Sequence, residues 1–300
     1  MLAPQPPKIR CREITTADFG DVVDLLTRGY HAMGFPASIR HYWARGLDRL
    51  SRHAAPEGLP KYGYVLESNG KIVGAILTIF SKVPAGSERI TRCNIAGIYV
   101  EPAFKTFAGL LHSHACRRKD VTYINLPGPL VRPLVEAQGF KRYSEGQFVA
   151  FPLLHLKSNE PQVKIVAADA HLDVPFDAFE RDLLVTHAKF GCISLWCTTA
   201  TEAVPFVFHR LNVKGIVPCA RLVYCRSIED FVRFARPLGR YLARRGCPLA
   251  IINANGPIPG LIGKYFEGSR PKYFKGPSRP RHGDLAYTHL SIFEDRNSIV

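Results

Sequence analysis

The chain has 300 residues, 46% hydrophobic and 22% charged, enough apolar material for a sizeable core and too little charge for a disordered polypeptide. No apolar run approaches the roughly 18–20 residues of a membrane-crossing helix, and the start Met1-Leu2-Ala3-Pro4 lacks the layout of a secretory signal, so the expected location is cytoplasmic. Forty basic residues against twenty-five acidic ones give +15, which favours anionic partners without choosing among nucleic acid, anionic lipid and phosphate-bearing small molecules.

In chain order, a loose leader over residues 1–7 precedes a predicted strand at 8–14. Thr16 is placed to cap a helix through about Arg28, on which Phe19, Val22, Val23 and Leu26 share a face. A second amphipathic helix is predicted at 38–50. Strands at 62–67 and 72–80 are joined by Ser68-Asn69-Gly70, a hairpin turn. Then come a strand at 94–100, a helix at 103–116, a strand at 121–125, a short helix at 131–138 stopped by Gly139, and a closing strand at 147–154.

The run Ser158-Asn159-Glu160-Pro161 is the best break, which gives expected domains at 1–157 and 158–300. Beyond it the order repeats: a strand at 163–167, a helix at 176–188, strands at 192–197, 204–210 and 217–225, and a helix at 228–245. A strand at 248–253, a short helix at 258–265 and a closing strand at 285–293 complete the chain. None of the eight cysteines is in a Cys-x-x-Cys pair, so core thiols are expected, with neither structural zinc nor disulfides.

Two corners match. Ile124-Asn125-Leu126-Pro127-Gly128-Pro129 and Ile252-Asn253-Ala254-Asn255-Gly256-Pro257 share Ile-Asn-x-x-Gly-Pro, 128 residues apart and in the same element context. The chain is therefore expected to hold two copies of one mixed α/β unit.

The element order of each copy resembles the GNAT acyl-CoA N-acyltransferase superfamily. In the first copy the likeness reaches residues: Arg12-Glu13-Ile14 with Ala17-Asp18, Ile72-Val73-Gly74-Ala75, the junction from Ile98 through Pro102 to Lys105, and Glu136-Ala137-Gln138-Gly139-Phe140. The second copy matches in element order and corner alone. The nearest picture is a mixed α+β protein with two GNAT-like units in tandem.

That resemblance implies an acyl-CoA cosubstrate at a splay between the fourth and fifth strands, with the pyrophosphate at the next helix's N-terminus, where free N–H groups and the helix dipole attract anions. It maps the cofactor contacts onto Ile98, Val100, Lys105, Thr106, Ala108, Gly109 and Asn125. Lys105 matches the basic position, but only Gly109 survives of the usual glycines, so a carrier-bound thioester stays open as the donor. In the second copy Glu229 and Asp230 stand in the first turn and would repel a pyrophosphate.

The family's leaving-group Tyr position holds Val135, so Glu101, Tyr99 and Tyr123 are the substitute acid–base candidates. Glu101 is otherwise a first-turn acid, and the tyrosines are otherwise aromatic core. Asn125 and Asn253 either hydrogen-bond the splay or satisfy the turn before Gly-Pro. His112-Ser113-His114 places two histidines on different helix faces, so no metal is expected.

Two basic features remain. Arg233, Arg236, Arg240 and Arg244 form a stripe whose simplest role is a solvated face. Between Lys264 and His282 six basic residues interleave with Tyr265, Phe266, Tyr273 and Phe274, expected as an irregular, mobile loop over an anionic ligand. No nucleic-acid-binding fold accompanies them. The expected function is acyl transfer from a thioester to a small-molecule or peptide amine; the alternative is a non-catalytic tandem fold that binds a ligand or partner.

Overall fold

The computed structural model describes residues 9–85, 88–155 and 162–293. The leader and the break at 158–161 lie outside the described residues. Among the described residues, twelve strands and eight α-helices form two compact units: residues 1–140 with 274–278, and residues 141–273 with 279–300. No helix among the described residues is long and apolar enough to cross a membrane.

Unit 1 begins with β1 (Ile9–Glu13) and α1 (Phe19–Ala32). The turn between them is fixed by a capping box in which Asp18 accepts the Thr15 N–H at 2.8 Å. Arg12 holds the same carboxylate with two 2.8 Å bonds and keeps its pKa far below the usual range. Next come α2 (Ile39–Ser51), β2 (Gly63–Ser68), β3 (Lys71–Ala85) and β4 (Glu88–Val100). Asn69 and Gly70 both take positive φ (51° and 76°), the two left-handed residues of a type I′ hairpin between β2 and β3. α3 (Ala108–Ala115), β5 (Val121–Asn125) and α4 (Arg132–Ala137) follow. The strand order is β1-β2-β3-β4-β5, antiparallel up to β4 and parallel between β4 and β5.

Unit 2 repeats this plan with β6 (Lys141–Ala150), β7 (Lys164–Ala167), α5 (Ala178–Lys189), β8 (Ile193–Thr198), β9 (Ala203–Val213) and β10 (Val217–Cys225). It continues through α6 (Ile228–Arg233), α7 (Ala235–Ala243), β11 (Leu249–Ala254), β12 (Gly263–Lys275) and α8 (His289–Ile292). Its strand order is β12-β6-β11-β10-β9-β8-β7, with β10 and β11 the parallel pair. Phe206, Phe208, Phe231 and Phe234 fill its core with edge-on and stacked rings.

Five expectations differ from this structure. The units divide after Phe140, not at 157/158, because β6 pairs with β11 from Gly146 opposite Ala254 to Ala150 opposite Ala250. The strand expected to close the first copy thus closes the second. In return, residues 274–278 join unit 1, where the Ser278 N–H donates to Thr122 Oγ1 at 3.1 Å.

The helix expected over 228–245 breaks at Phe234, since Pro237 has no N–H for the Arg233 carbonyl and its ring crowds that oxygen. The helix expected at 258–265 is absent, and Gly263 starts β12 instead. Most of the expected mobile loop is therefore strand; its turn-forming residues show only as local left-handed backbone at Gly268 (φ 68°) and Arg270 (φ 49°). Finally, the strand expected at 285–293 is a single bridge from Asp284 to Tyr224 followed by α8.

Candidate functional site: two splayed strand pairs

The parallel ladder between β4 and β5 runs from Thr91 opposite Val121 to Ile95 opposite Asn125 and stops there. It stops at a bulge. Leu77 of β3 faces Gly97 while Thr78 faces Ile95, so Ala96 is an extra residue that turns β4 away from β5. Glu101 donates its N–H to Val73 at 2.8 Å, towards β3. By strand alternation the main-chain groups of Ile98 and Val100 then face the splay.

The edge is not left bare. The Ile98 N–H donates to the hydroxyl oxygen of Tyr30 on α1, and burial pushes that phenol up to about 12 despite the bond. Trp43 and Phe35 pack edge-on to the Tyr30 ring at 4.9 and 5.2 Å. A Cβ on Gly97 would lie 2.7 Å from the Trp43 ring and 3.6 Å from the Tyr30 hydroxyl, so this close approach needs glycine.

Unit 2 carries the same device. Its parallel ladder stops at Arg221 opposite Ile251, and Val223 is the bulged residue of β10. Cys225 therefore stands where Ile98 stands. Its N–H donates to Gly283 O at 2.9 Å, and Leu285 returns an N–H to Val223 O at 2.7 Å. The Arg281 guanidinium adds a bond to Cys225 O. Main chain thus occupies this edge as an added strand would. Ser227 caps α6 by accepting the Asp230 N–H at 3.0 Å, and Arg226 is committed to Glu180 at 2.6 Å. This second splay does not fit a thioester donor.

The expected catalytic residues are not brought together. Tyr99 lies with its ring on Gly29 of α1, near the splay. Glu101 at the strand's end is 3.3 Å from Arg28 Nη2 and 3.9 Å from Lys71 Nζ. Tyr123 is buried before the bulge, opposite Cys93, where its hydroxyl accepts the Arg118 N–H at 3.2 Å and burial drives its pKa upward.

Of the expected cofactor contacts, Ile98 and Val100 lie on the splay edge. Lys105 and Thr106 are exposed in the 3-10 turn Pro102–Phe107, where the Lys105 carbonyl accepts the Ala108 N–H. Ala108 and Gly109 open α3, half-buried. Asn125 belongs to a buried relay. Its Nδ2 reaches His112 Nε2 at 3.3 Å, His112 Nδ1 bonds Gln138 Oε1, and Gln138 Nε2 donates to Gly109 O at 3.0 Å. Burial lowers the His112 pKa, so the ring is neutral, with its proton on Nδ1 towards Gln138. The relay ties the end of β5 to the first turn of α3.

Tyr30 was not singled out from the sequence, His112 was weighed only as a metal ligand, and Gln138 only as part of the helix-ending motif. Tyr30 follows Leu26 by four on the apolar face of α1, which reads as core. His112 faces inward while His114 packs on Tyr64 at 4.7 Å. Among the described residues no three His, Cys, Asp or Glu side chains cluster as a metal site.

No protein-family model and no curated protein matches the chain. Solved structures do match. A GCN5-related N-acetyltransferase from Anabaena variabilis aligns at TM-score 0.56 and 9% identity, over 89% of this chain and 72% of that one. One from Kribbella flavida gives 0.53 and 14%, over 89% and 71%. A putative acetyltransferase from Pyrococcus horikoshii gives 0.52 and 14%, over 95% and 92%. The fold is that of the GCN5-related N-acetyltransferases. At these identities the likeness concerns the GNAT fold alone, and it extends across both units.

Proposed function

We propose that the chain is a GNAT-type acyltransferase that moves an acyl group from a thioester donor to an amine, with unit 1 as the donor site. The observation that carries this reading is the asymmetry of the two splays. The edge at Cys225 is closed by main chain, whereas among the described residues the edge at Ile98 meets the Tyr30 hydroxyl, which rotation about side-chain bonds can move. Ile98, Val100, Lys105 and Thr106 are the residues that would hold acyl-CoA, which supplies the activated acyl group.

The protein's part is to polarise and to orient. The Ile98 N–H and the Tyr30 O–H are two donors for the thioester oxygen as it gains charge. A phenol raised to about 12 stays protonated at neutral pH and keeps that donor role. The relay from Asn125 through His112 to Gln138 holds the end of β5 against α3, so the splay keeps its width.

The test is calorimetric titration with CoA and acetyl-CoA, followed by thiol release in the presence of a panel of amines. Micromolar binding with amine-dependent thiol release supports transfer. The second reading, a non-catalytic tandem GNAT fold, is favoured by Glu101, whose carboxylate is occupied by Arg28 and Lys71. Absence of any CoA-induced stabilisation would select it.

A further inference from the structure

Unit 2 contains a cavity of about 710 Å³ at the carboxyl end of β11, between α6 and the corner after Asn253. Its walls include apolar Ile228, Val232 and Ile258, and its polar groups are unevenly committed. Asn255 is spent on the fold: it accepts the Glu145 N–H at 2.8 Å and donates to Tyr143 O at 3.3 Å. Arg233 is bound to Glu202 at 2.6 Å.

The two histidines each use their N–H on a carbonyl. His155 Nδ1 donates to Gly260 O at 2.5 Å, and His282 Nε2 donates to Tyr143 O at 3.0 Å. In the neutral ring each then has its other nitrogen as an acceptor. Glu229 stands exposed at the rim without an ion-pair partner among the described residues.

Asn253 is the telling residue. It is 5% exposed, lines the cavity, and its amide makes no hydrogen bond among the described residues. Asn125, at the same place in unit 1, is equally buried but bonded to His112. Its amide atoms are reachable from the cavity, so a ligand with a polar head would meet a ready partner there.

We propose that this cavity binds a small ammonium compound with an apolar body, its N–H groups donating to Asn253 and the ring nitrogens and its charge facing Glu229. The uncommitted groups are the Asn253 amide, with one acceptor oxygen and two N–H donors, two ring acceptors and a carboxylate, a set whose only full charge is negative and which favours a cation over a diphosphate. Acyl-CoA is excluded from the adjoining splay by Gly283 and Leu285. This assignment is independent of whether unit 1 transfers acyl groups.

The full chain would be titrated with hexylammonium, hexanoate and CoA by ligand-observed NMR and calorimetry. Saturable hexylammonium binding is expected, weakened at least fivefold in Glu229→Gln and in Asn253→Leu and unchanged in Lys105→Ala. Hexanoate binding of equal strength, or hexylammonium binding that neither variant alters, would overturn the proposal. So would CoA binding that Asn253→Leu abolishes, because the cavity would then be a donor site. If Asn253→Leu melts early, the rim variant Glu229→Gln decides the matter by itself.

Discussion

The Ile98 N–H and the Tyr30 hydroxyl are hydrogen-bonded across the mouth of the first splay, joining the strand edge beyond the Ala96 bulge to the apolar face of α1. Their counterparts in the second unit are Cys225 and the main-chain carbonyl of Gly283, 2.9 Å apart. One contact is a side chain that can leave; the other is part of the chain's own course.

Tyr30→Phe separates the two roles of that hydroxyl. Loss of one hydrogen bond should destabilise the protein by about 1 kcal/mol, read from urea unfolding. If the hydroxyl is a second donor to the thioester oxygen, kcat should fall roughly 100-fold with little change in KM for the donor. A variant with wild-type kcat would reduce Tyr30 to a packing residue.

Gly283→Ala addresses the plug. Gly283 has φ +75°, and an added Cβ would lie 2.6 Å from Cys225 Sγ. Left-handed backbone and overlap together should cost roughly 2–4 kcal/mol. CoA titration of the wild type should accordingly give one site per chain, and two sites would show that the plug opens.

Lys105→Ala bears on the phosphate end of the donor site. Lys105 is exposed in the turn before α3, so its charge should change the CoA Kd by no more than about fivefold, and by less at high salt. Unchanged Kd at low salt would remove the assignment.

The duplicated unit was legible because Asn125 ends β5 and Asn253 stands one residue before the end of β11 within the same six-residue corner, and because turn chemistry such as Asn69-Gly70 is local. The exchange of closing strands was not legible. Alternation along β6 says that it is a strand, but nothing in it distinguishes β5 from β11 as the neighbour. The segment from Lys264 to Lys275 was misjudged because Gly268, Ser269 and Pro271 weigh towards a loop, whereas pairing with a waiting strand outweighs local propensity. Within the candidate site, Ile98 and Lys105 were singled out through the junction they share. Tyr30 was not, because an aromatic on a helix's inner face carries no mark of the amide it meets.

Acid should weaken the fold from about pH 6.5 downward. Burial lowers the pKa values of His53, His112 and His282 in the folded protein, with the ordinary value of 6.5 as the unfolded reference. Below that pH the unfolded chain takes up protons that the folded chain refuses, so stability present above 6.5 is lost as pH falls towards the depressed values. Each group contributes a slope of up to about 1.4 kcal/mol per pH unit. His112→Asn should lose one such share in urea unfolding between pH 6.5 and 5, and an unaltered slope would mean that His112 is not buried neutral.

Glu101 is the remaining acid–base candidate, and its surroundings argue against the part. Arg28 and Lys71 both approach Oε1, and the Glu101 N–H is committed to Val73. A base held by two cations gives up reactivity towards an amine's proton, because accepting that proton would break both ion pairs. Arg28 and Lys71 are themselves largely exposed, so the pairs contribute little to stability. Glu101→Gln should therefore change unfolding free energy by less than about 1 kcal/mol and leave turnover within a few-fold. A fall in kcat of roughly 100-fold or more, together with loss of the alkaline rise in the pH–rate profile, would instead place the catalytic base at the end of β4. That outcome would require the Arg28 contact to open when the acceptor enters, which Arg28→Ala would mimic by raising the reactivity of Glu101 in the free enzyme.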